Sequence, residues 1–337
     1  MPVTTVPDDL SQLRSLATAV ESLRGQVAER VVGQRAAVDG ILTAVLGGGH
    51  ALLVGVPGLA KTLMVSTVAE ALNLSFNRVQ FTPDLMPGDI TGTELVEEDP
   101  ATGKRSFRFV EGPIFAQVVL ADEINRTPPK TQAALLQAMQ EHHVTVAGQT
   151  YRLPAPFFVL ATQNPIEQEG TYPLPEAQLD RFMLELRLGY PSRAEEEQIV
   201  AQTTGSRLAA VQPVFDGAQL SAMQALVRRI PVSESLIAAA VLLVRMTRPN
   251  ESEAPALIRE YVEWGAGPRA SQYLVLGAKA RAAMDGRPQA DLDDVKSVAR
   301  DVLRHRLMTN FAAEAADKTA EDVVSELIEG SGWAKGA

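Results

Sequence analysis

The stretch that decides the fold is Gly55-Val56-Pro57-Gly58-Leu59-Ala60-Lys61-Thr62. It follows a compact apolar run, Ala51-Leu52-Leu53-Val54, which is typical of a buried strand, and it precedes a helical pattern. A glycine-rich loop between a strand and a helix predicts a phosphate cradle, because backbone N–H groups and a helix N-terminus both favour anions. Lys61 would contact the β- and γ-phosphates of a nucleotide, and the Thr62 hydroxyl would ligate Mg²⁺.

Two further apolar runs end in polar residues. The run from Val118 to Ala121 precedes Asp122 and Glu123, and the run from Phe157 to Ala161 precedes Thr162-Gln163-Asn164. Ligands of open α/β sheets bind at the carboxyl ends of the strands. Asp122 is therefore predicted to hold Mg²⁺ and Glu123 to polarise the attacking water as general base. Asn164 is predicted to orient that water or to contact the γ-phosphate.

Each of these motifs also has a structural alternative. The loop Gly55–Thr62 could be a glycine-rich turn before an ordinary helix. The two acids could stabilise the start of the next helix, where negative charge is favoured. Asn164 precedes Pro165 and could be an ordinary turn residue. The order of the three motifs along the chain favours the functional interpretation of each.

The organisation of the chain changes near Pro191. Before it, short strand patterns alternate with helical patterns, which predicts an α/β fold with a mostly parallel sheet. After it, only helical periodicity recurs. We therefore predict a nucleotide-binding α/β core over residues 1–190 and a helical domain over 191–337. Residues 81–112 are predicted to form an insertion in the core, with a hairpin around the turn Asp99–Gly103.

Composition narrows the class of protein. The 337 residues contain 31 Lys and Arg against 41 Asp and Glu, which gives a net charge of −10 and disfavours a general nucleic-acid binder. Cysteine is absent, which excludes disulfides and thiolate chemistry. The longest apolar run, Leu236–Val244, is far shorter than the ~20 residues of a membrane span. Met1–Leu10 lacks the basic residues of a secretory signal, so a cytoplasmic protein is expected.

The motifs together resemble those of the AAA+ ATPases and, within them, the MoxR family. The resemblance extends from about Val31 to about Phe311, and Ala60, where a strict P-loop has glycine, is usual in that family. It implies an AAA+ P-loop core with a parallel sheet and flanking helices, followed by an all-α lid domain. Beyond the phosphate loop it is carried by Ala121-Asp122-Glu123-Ile124-Asn125-Arg126, Pro128-Pro129-Lys130-Thr131-Gln132, Ala161-Thr162-Gln163-Asn164-Pro165 and Leu174-Pro175-Glu176-Ala177-Gln178-Leu179-Asp180-Arg181-Phe182.

The resemblance also implies roles for residues outside the central motifs. Val32 and its neighbours would lie beside the adenine. Arg181 would be an arginine finger that reaches the nucleotide of the neighbouring subunit, unless it merely pairs with Asp180 or Glu176. Arg269 would be the sensor-2 arginine that links nucleotide state to the lid, unless it is an ordinary surface arginine. Whether it acts on its own or an adjacent nucleotide stays open. The insertion would project toward a substrate or the ring pore, or be an inert surface hairpin.

At the level of function, the resemblance implies a hexameric ring that hydrolyses ATP with Mg²⁺ and remodels or matures client protein complexes. Insertion of a metal cofactor and partnership with a von Willebrand factor A domain protein would belong to that work. The alternatives are a metal-chelatase motor subunit, a DNA-translocating AAA+ motor and a nucleotide-gated scaffold that does not hydrolyse ATP. No basic and aromatic stripe for single-stranded nucleic acid is evident, which disfavours the DNA motor.

Three expectations concern residues near the C-terminus. Arg300, Arg304 and Arg306 are expected to form a basic patch that contacts a helix dipole or an adjacent subunit. Trp264 is expected to pack inside the lid. Trp333 is expected to lie in a frayed tail.

Overall fold

A computed structural model describes residues 7–98, 105–166, 170–204, 209–330 and 332–333. Helices make up most of the regular structure, and a short 3-10 turn lies at Ile124–Arg126. In the described residues they are α1 (Pro7–Ala28), α2 (Arg35–Gly47), α3 (Lys61–Ala71), α4 (Pro87–Thr91), α5 (Pro129–Glu141), α6 (Glu176–Leu179), α7 (Arg193–Thr203), α8 (Gly217–Arg229), α9 (Glu234–Met246), α10 (Ala256–Tyr261), α11 (Pro268–Met284), α12 (Leu292–Leu303), α13 (Phe311–Ala315) and α14 (Ala320–Gly330).

The strands form one central sheet and three two-stranded sheets in the same described ranges. They are β1 (Ala51–Val54), β2 (Phe76–Gln80), β3 (Gly92–Glu98), β4 (Arg105–Glu111), β5 (Val118–Asp122), β6 (His143–Val146), β7 (Gln149–Arg152), β8 (Phe158–Gln163), β9 (Leu184–Arg187), β10 (Val262–Trp264) and β11 (Met308–Thr309).

The central sheet has the order β2-β5-β8-β1-β9, and every pairing in it is parallel. Successive residues of a strand point to opposite faces, and both faces of this sheet are covered. In β1, Leu53 packs into a core shared with the N-terminal and C-terminal helices, whereas Leu52 packs into a second core around α5. The predicted α/β core with a parallel sheet is confirmed.

Helix α1 shows why the N-terminal residues are helical. Its apolar residues recur at helical spacing, and all of them are buried: Leu13, Leu16, Val20, Leu23 and Val27. They pack against α3, α8 and α11, while α2 packs against β9 as well as α8 and α11. The N-terminal helices therefore lie between the sheet and the C-terminal helices.

Capping residues mark where several C-terminal helices begin. Ser192, Asp216 and Asp291 each accept a backbone N–H from the third helical residue, whose own side chain reaches back to complete a capping box. The helical lid is confirmed. It also contains the antiparallel pair β10–β11, which the helical periodicity after Pro191 does not predict.

Two hairpins extend from the core, and they contact each other. The antiparallel pair β3–β4 lies within the predicted insertion, although the turn at 99–103 lies outside the described residues. The pair β6–β7 follows α5. Phe109 of β4 stacks on Tyr151 of β7, with ring centroids 3.9 Å apart and planes 18° apart. Farther out on the first hairpin, Val96 and Phe107 pair across the strands and are exposed.

Both tryptophan expectations are wrong. Trp264 of β10 is 70 % exposed and does not pack inside the lid. Trp333 is buried, and its indole N–H donates to the carbonyl oxygen of Ile328 at 3.1 Å, so it closes the core beside α14. Among the residues that the structure describes, no helix is long and apolar enough to cross a membrane.

Gly40 lies where α2 contacts β9, whereas Gly25 lies in α1 with open space beside it, so substitutions at the two glycines should have opposite effects. A Cβ on Gly40 would lie 2.4 Å from the Leu186 side chain, whereas a Cβ on Gly25 of α1 would meet nothing within 4 Å. Gly40→Ala should therefore destabilise the fold by about 1–3 kcal/mol through overpacking. Gly25→Ala should stabilise it by about 0.5–1 kcal/mol, because alanine is the better helix former.

Chemical denaturation of the two variants and the parent measures both free energies of unfolding. Equal changes in the two variants would contradict the close approach of α2 to β9.

Candidate active site

The phosphate loop joins β1 to α3 and takes its shape from two left-handed residues and one lysine. Gly58 has φ 86° and Ala60 has φ 55°, a conformation that costs an L-residue roughly 1–2 kcal/mol. The Lys61 ammonium donates to the carbonyl oxygens of Gly55 (2.5 Å) and Val56 (2.9 Å). The loop therefore wraps around the half-buried lysine.

The Lys61 ammonium also lies near the predicted acids. Burial lowers the pKa of this ammonium, and the charges of Asp122 and Glu123 oppose that shift. The lysine and both acids thus belong to one electrostatic site.

Asp122 ends β5 and is held on three sides. Its carboxylate accepts from Thr162 Oγ1 at 2.6 Å, from Thr62 Oγ1 at 3.4 Å, and from Arg78 Nε and Nη2 at 3.0 and 2.7 Å. The hydroxyl of Thr62 and the carboxylate of Asp122 are both oxygen donors, the kind that Mg²⁺ prefers. These two residues fit the predicted magnesium site.

Glu123 follows Asp122 in a left-handed conformation, with φ 58°. Its backbone N–H donates to Thr162 Oγ1 at 2.8 Å. Its carboxylate accepts from Gln80 Nε2 at 2.7 Å and pairs with Arg126 Nε at 3.1 Å. The carboxylate that is predicted to activate water is therefore fixed by side chains from two neighbouring segments.

Sequence reasoning missed Gln80 and Thr162. Gln80 is the last residue of β2 and lies opposite Asp122 in the parallel register. A polar residue at the end of a strand was the signal that identified Asp122 and Asn164, and the same signal was available for Gln80. Thr162 was quoted only as part of a motif, because a buried threonine in a strand has no distinctive pattern.

A cleft of about 470 Å³ brings most of the predicted residues together. Asn164, which is almost buried, lines it and accepts from the backbone N–H of Ile166 at 3.2 Å. The volume lies in the range of small-molecule sites. The other lining residues are Pro57, Gly58, Leu59, Ala60, Lys61, Thr62, Leu63, Asp122, Glu123, Thr162 and Gln163.

Val32 lines a different cavity. That cavity has a volume of about 380 Å³ and lies between α1, the segment Val31–Gly33 and α7, which contributes Glu195. The structure therefore places the predicted adenine-side residue apart from the residues that line the phosphate cleft.

Arg181 and Arg269 are not among the described residues that line the cleft. Arg269 Nη1 donates to Asp180 Oδ2 at 2.7 Å, directly before Arg181 in the chain. Burial and then the charge of Arg269 lower the pKa of Arg181. The structure thus brings the two arginines together, and Asp180 pairs with Arg269 and not with Arg181.

The expected basic patch after α12 is only partly right for Arg304 and Arg306. Each donates to a carbonyl oxygen near the end of α12, Arg304 to that of Arg300 and Arg306 to that of Val302, which is the expected contact with the helix dipole, but the two do not form a surface patch. Both are buried, and each pairs with acids that are distant in sequence: Arg304 with Glu321 at 3.3 Å and Arg306 with Asp180 at 2.8 Å. Buried charges require such partners. The sequence around His305 predicts a solvated patch because it does not reveal these distant acidic partners.

The comparisons with known proteins agree with this architecture. A family described as "ATPase family associated with various cellular activities (AAA)" matches residues 50–184, and one described as "AAA lid domain" matches 254–327. Chaperone MoxR1 of Mycobacterium tuberculosis is 41 % identical over 317 residues, which cover 93 % of this chain and 83 % of that protein. Protein MoxR of Methylorubrum extorquens is 30 % identical over 321 residues, which cover 90 % of each chain.

A solved structure is also similar over nearly the whole chain. It is the crystal structure of a Cytophaga hutchinsonii protein to which ATPase activity is ascribed. The TM-score is 0.88 at 38 % identity, and the match covers 95 % of this chain and 96 % of that one. Fold and site together define an AAA+ nucleotide-binding core with a helical lid. The chain belongs to the MoxR family of AAA+ ATPases.

The two bonds of Thr162 predict a measurable role in nucleotide turnover. Thr162→Val keeps the shape of the side chain but removes the hydroxyl that holds Asp122 and the backbone of Glu123. Loss of such a supporting group typically costs about 10–100-fold in activity. We expect a drop of that size in steady-state ATPase rate across a Mg²⁺ titration.

Thr162→Ser is the matched control, because it keeps the hydroxyl, and it should stay near the parent rate. A parental rate in Thr162→Val would show that the hydroxyl does not organise the acids.

Proposed function

We propose that this chain hydrolyses ATP with Mg²⁺ in a ring, hexameric by the family resemblance, whose active sites are shared between adjacent subunits. The observation that carries the proposal is the division of the predicted residues. Lys61, Asp122 and Glu123 meet in one cleft, while Arg181 and Arg269 lie together outside it. One chain would thus carry the two halves of a shared site in different places.

The residues of the cleft suit the separate tasks of hydrolysis. The backbone of the phosphate loop and Lys61 would bind the phosphates, and Thr62 with Asp122 would hold Mg²⁺, which neutralises phosphate charge when bound. Glu123 would accept a proton from the attacking water. Asn164 would orient that water. Gln80 and Thr162 would keep the two acids in place.

Arg181 and Arg269 are suited to act on a nucleotide that is bound to the adjacent subunit. Burial and then the charge of Arg269 lower the pKa of Arg181, and the charge of Glu141 opposes that shift, so a further anion near the two arginines would be favourable. A nucleotide bound to an adjacent subunit would supply it. We therefore propose that both arginines act on the neighbour's nucleotide, so that Arg269 serves in trans.

We also propose how the chain divides into a core domain and a lid domain. The core would end near residue 190, shortly after Arg187 closes β9, and the helices from Arg193 onward would form the moving lid. Val32 would contact the adenine from its cavity beside α7. Movement of the lid against the core would then pass from one subunit to the next.

We further propose that the ring acts on client proteins. The chaperone name belongs to the relative MoxR1 and supports chaperone-like work here. The exposed pair Val96 and Phe107 on the insertion hairpin offers an apolar contact for a client. A von Willebrand factor A domain partner and metal-cofactor insertion rest on the resemblance alone. The net charge of −10 favours protein over nucleic acid as substrate.

The general-base assignment predicts the behaviour of Glu123→Gln. The amide keeps the size of the side chain but cannot accept the proton, and a positioned base contributes about 10²–10⁴-fold to rate. The variant should bind ATP with parental affinity in a fluorescent-nucleotide titration and show almost no turnover.

Glu70→Gln is a suitable control, because Glu70 lies near the end of α3 and pairs with Arg30 away from the cleft. It should hydrolyse ATP at the parental rate. Normal turnover by Glu123→Gln would show that Glu123 is not the general base.

The shared site predicts complementation between two inactive variants. Arg181→Ala lacks the finger, a loss worth about 10³–10⁵-fold in related nucleotide hydrolases, and Lys61→Ala cannot bind phosphates normally. Each alone should be inactive. In mixed rings, an intact Arg181 from one variant should meet an intact Lys61 of the other and restore part of the ATPase rate.

Subunit exchange in these mixtures is verified by energy transfer between labelled chains. If the subunits exchange and no activity returns, the active site is not shared.

A further inference from the structure

The segment that carries Arg181 is held by one lid arginine. Arg306 follows α12 and donates its hydrogen bonds to the segment Asp180–Met183. Nε donates to Asp180 Oδ1 (2.8 Å), Nη2 to the carbonyl oxygens of Asp180 (2.9 Å) and Phe182 (2.5 Å), and Nη1 to that of Met183 (3.4 Å). One guanidinium thus binds the residues on both sides of Arg181.

Because Arg306 is buried, these hydrogen bonds cannot easily be replaced by hydrogen bonds to water. The Arg306 side chain is only 1 % exposed, and Asp180 is its ion-pair partner at 2.8 Å. Removing the partner of a buried charge is strongly destabilising, because the charge is left without compensation. Nη1 also donates to the carbonyl oxygen of Val302 in the last turn of α12. The segment Asp180–Met183 is therefore tied to α12 itself.

Neighbouring lid residues make further contacts with the same segment. His305 Nε2 lies 3.1 Å from the carbonyl oxygen of Phe182. Tyr273 of α11 donates from its hydroxyl to the carbonyl oxygen of Arg181 at 3.3 Å, and the Arg306 guanidinium lies 5.2 Å from the centre of the Tyr273 ring. The position of Arg181 is thus set from two sides. These lid residues hold the segment on one side, and on the other the Met183 backbone N–H donates to the carbonyl oxygen of His50 in the core at 2.8 Å, directly before β9 begins.

Asp180 has two arginine partners of different character. Its Oδ1 accepts from the buried Arg306, and its Oδ2 accepts from Arg269, whose side chain is 36 % exposed. Arg269 can leave this carboxylate for another anion at modest cost, because a partly exposed pair contributes little. Arg306 would then still hold Asp180, so the segment would keep its place when Arg269 moves.

We propose that Arg306 is a positioning residue for the arginine finger. Together with Asp180 it ties the segment of Arg181, which continues into β9 of the core, to the lid, so that a change in the position of the lid against the core in one subunit acts on the finger at its neighbour's nucleotide. The proposal rests on the shared active site of the proposed function. Arg306 itself is not among the described residues that line the cleft, so its effect passes through Arg181.

The test begins with Arg306→Lys, which keeps the charge but cannot reproduce the planar set of donors. ATP turnover by the variant should fall about tenfold or more, while its affinity for a fluorescent ATP analogue should not change. Arg304→Lys is the matched control. Arg304 is two residues away and equally buried, but it bonds to Asp301, Glu321 and the carbonyl oxygen of Arg300. It should keep the parental rate.

A mixing experiment separates positioning from a general structural defect. Arg306→Lys subunits have an intact cleft and should regain activity when mixed with Lys61→Ala subunits, which supply a correctly placed Arg181. The recovery should match that of the Arg181→Ala and Lys61→Ala mixture. If Arg306→Lys does not fold, as judged by thermal unfolding, Asp180→Asn replaces it and should show the same recovery.

The outcomes distinguish the two proposals. Parental turnover by Arg306→Lys, or no recovery with it while the Arg181→Ala mixture recovers, overturns the positioning role alone. If subunits exchange and the Arg181→Ala mixture also fails to recover, the shared site of the proposed function is wrong, and the positioning role falls with it.

Discussion

The site depends on one constraint, which is that β8 lies between β1 and β5 and pairs in parallel with both. Parallel pairing brings the carboxyl ends of these strands to a single edge, so the phosphate loop, the two acids and Asn164 meet there. Thr162 sits in the middle strand and bonds to both Asp122 and the backbone of Glu123. The geometry of the acids is thus set from a neighbouring strand, and a shift of that strand would displace them.

The sequence was sufficient to predict the fold class and most of the residues that line the cleft, although not Thr162. A phosphate loop must follow a buried strand and begin a helix, so its pattern is local and readable. Asp122, Glu123 and Asn164 were found by a rule about strand ends, which needs only the position of each strand. Membership of the MoxR family, inferred from these motifs and their order, is confirmed by relatives that match most of the chain.

Features that depend on distant partners could not be predicted. Arg306 and its carboxylate partner Asp180 are 126 residues apart, so the residues next to Arg306 in the sequence do not indicate that it is buried. Trp264 and Trp333 were misplaced for the same reason, since exposure depends on which helices pack nearby. The hairpin β6–β7 was overlooked, although the alternation of Val144-Thr145-Val146 and the Ala147-Gly148 turn are signals that a search for strands could have used.

The stacked pair of Phe109 and Tyr151 has a mechanical consequence. β2 ends at Gln80, which bonds to Glu123, and continues through α4 into the first hairpin. The second hairpin continues into β8, which ends beside Asn164. Each hairpin is therefore connected to a strand that ends at one side of the cleft. The stacked rings of Phe109 and Tyr151 join the two hairpins. Because the two rings stack, a displacement of one hairpin would displace the other, and the effect would reach the strands on both sides of the cleft.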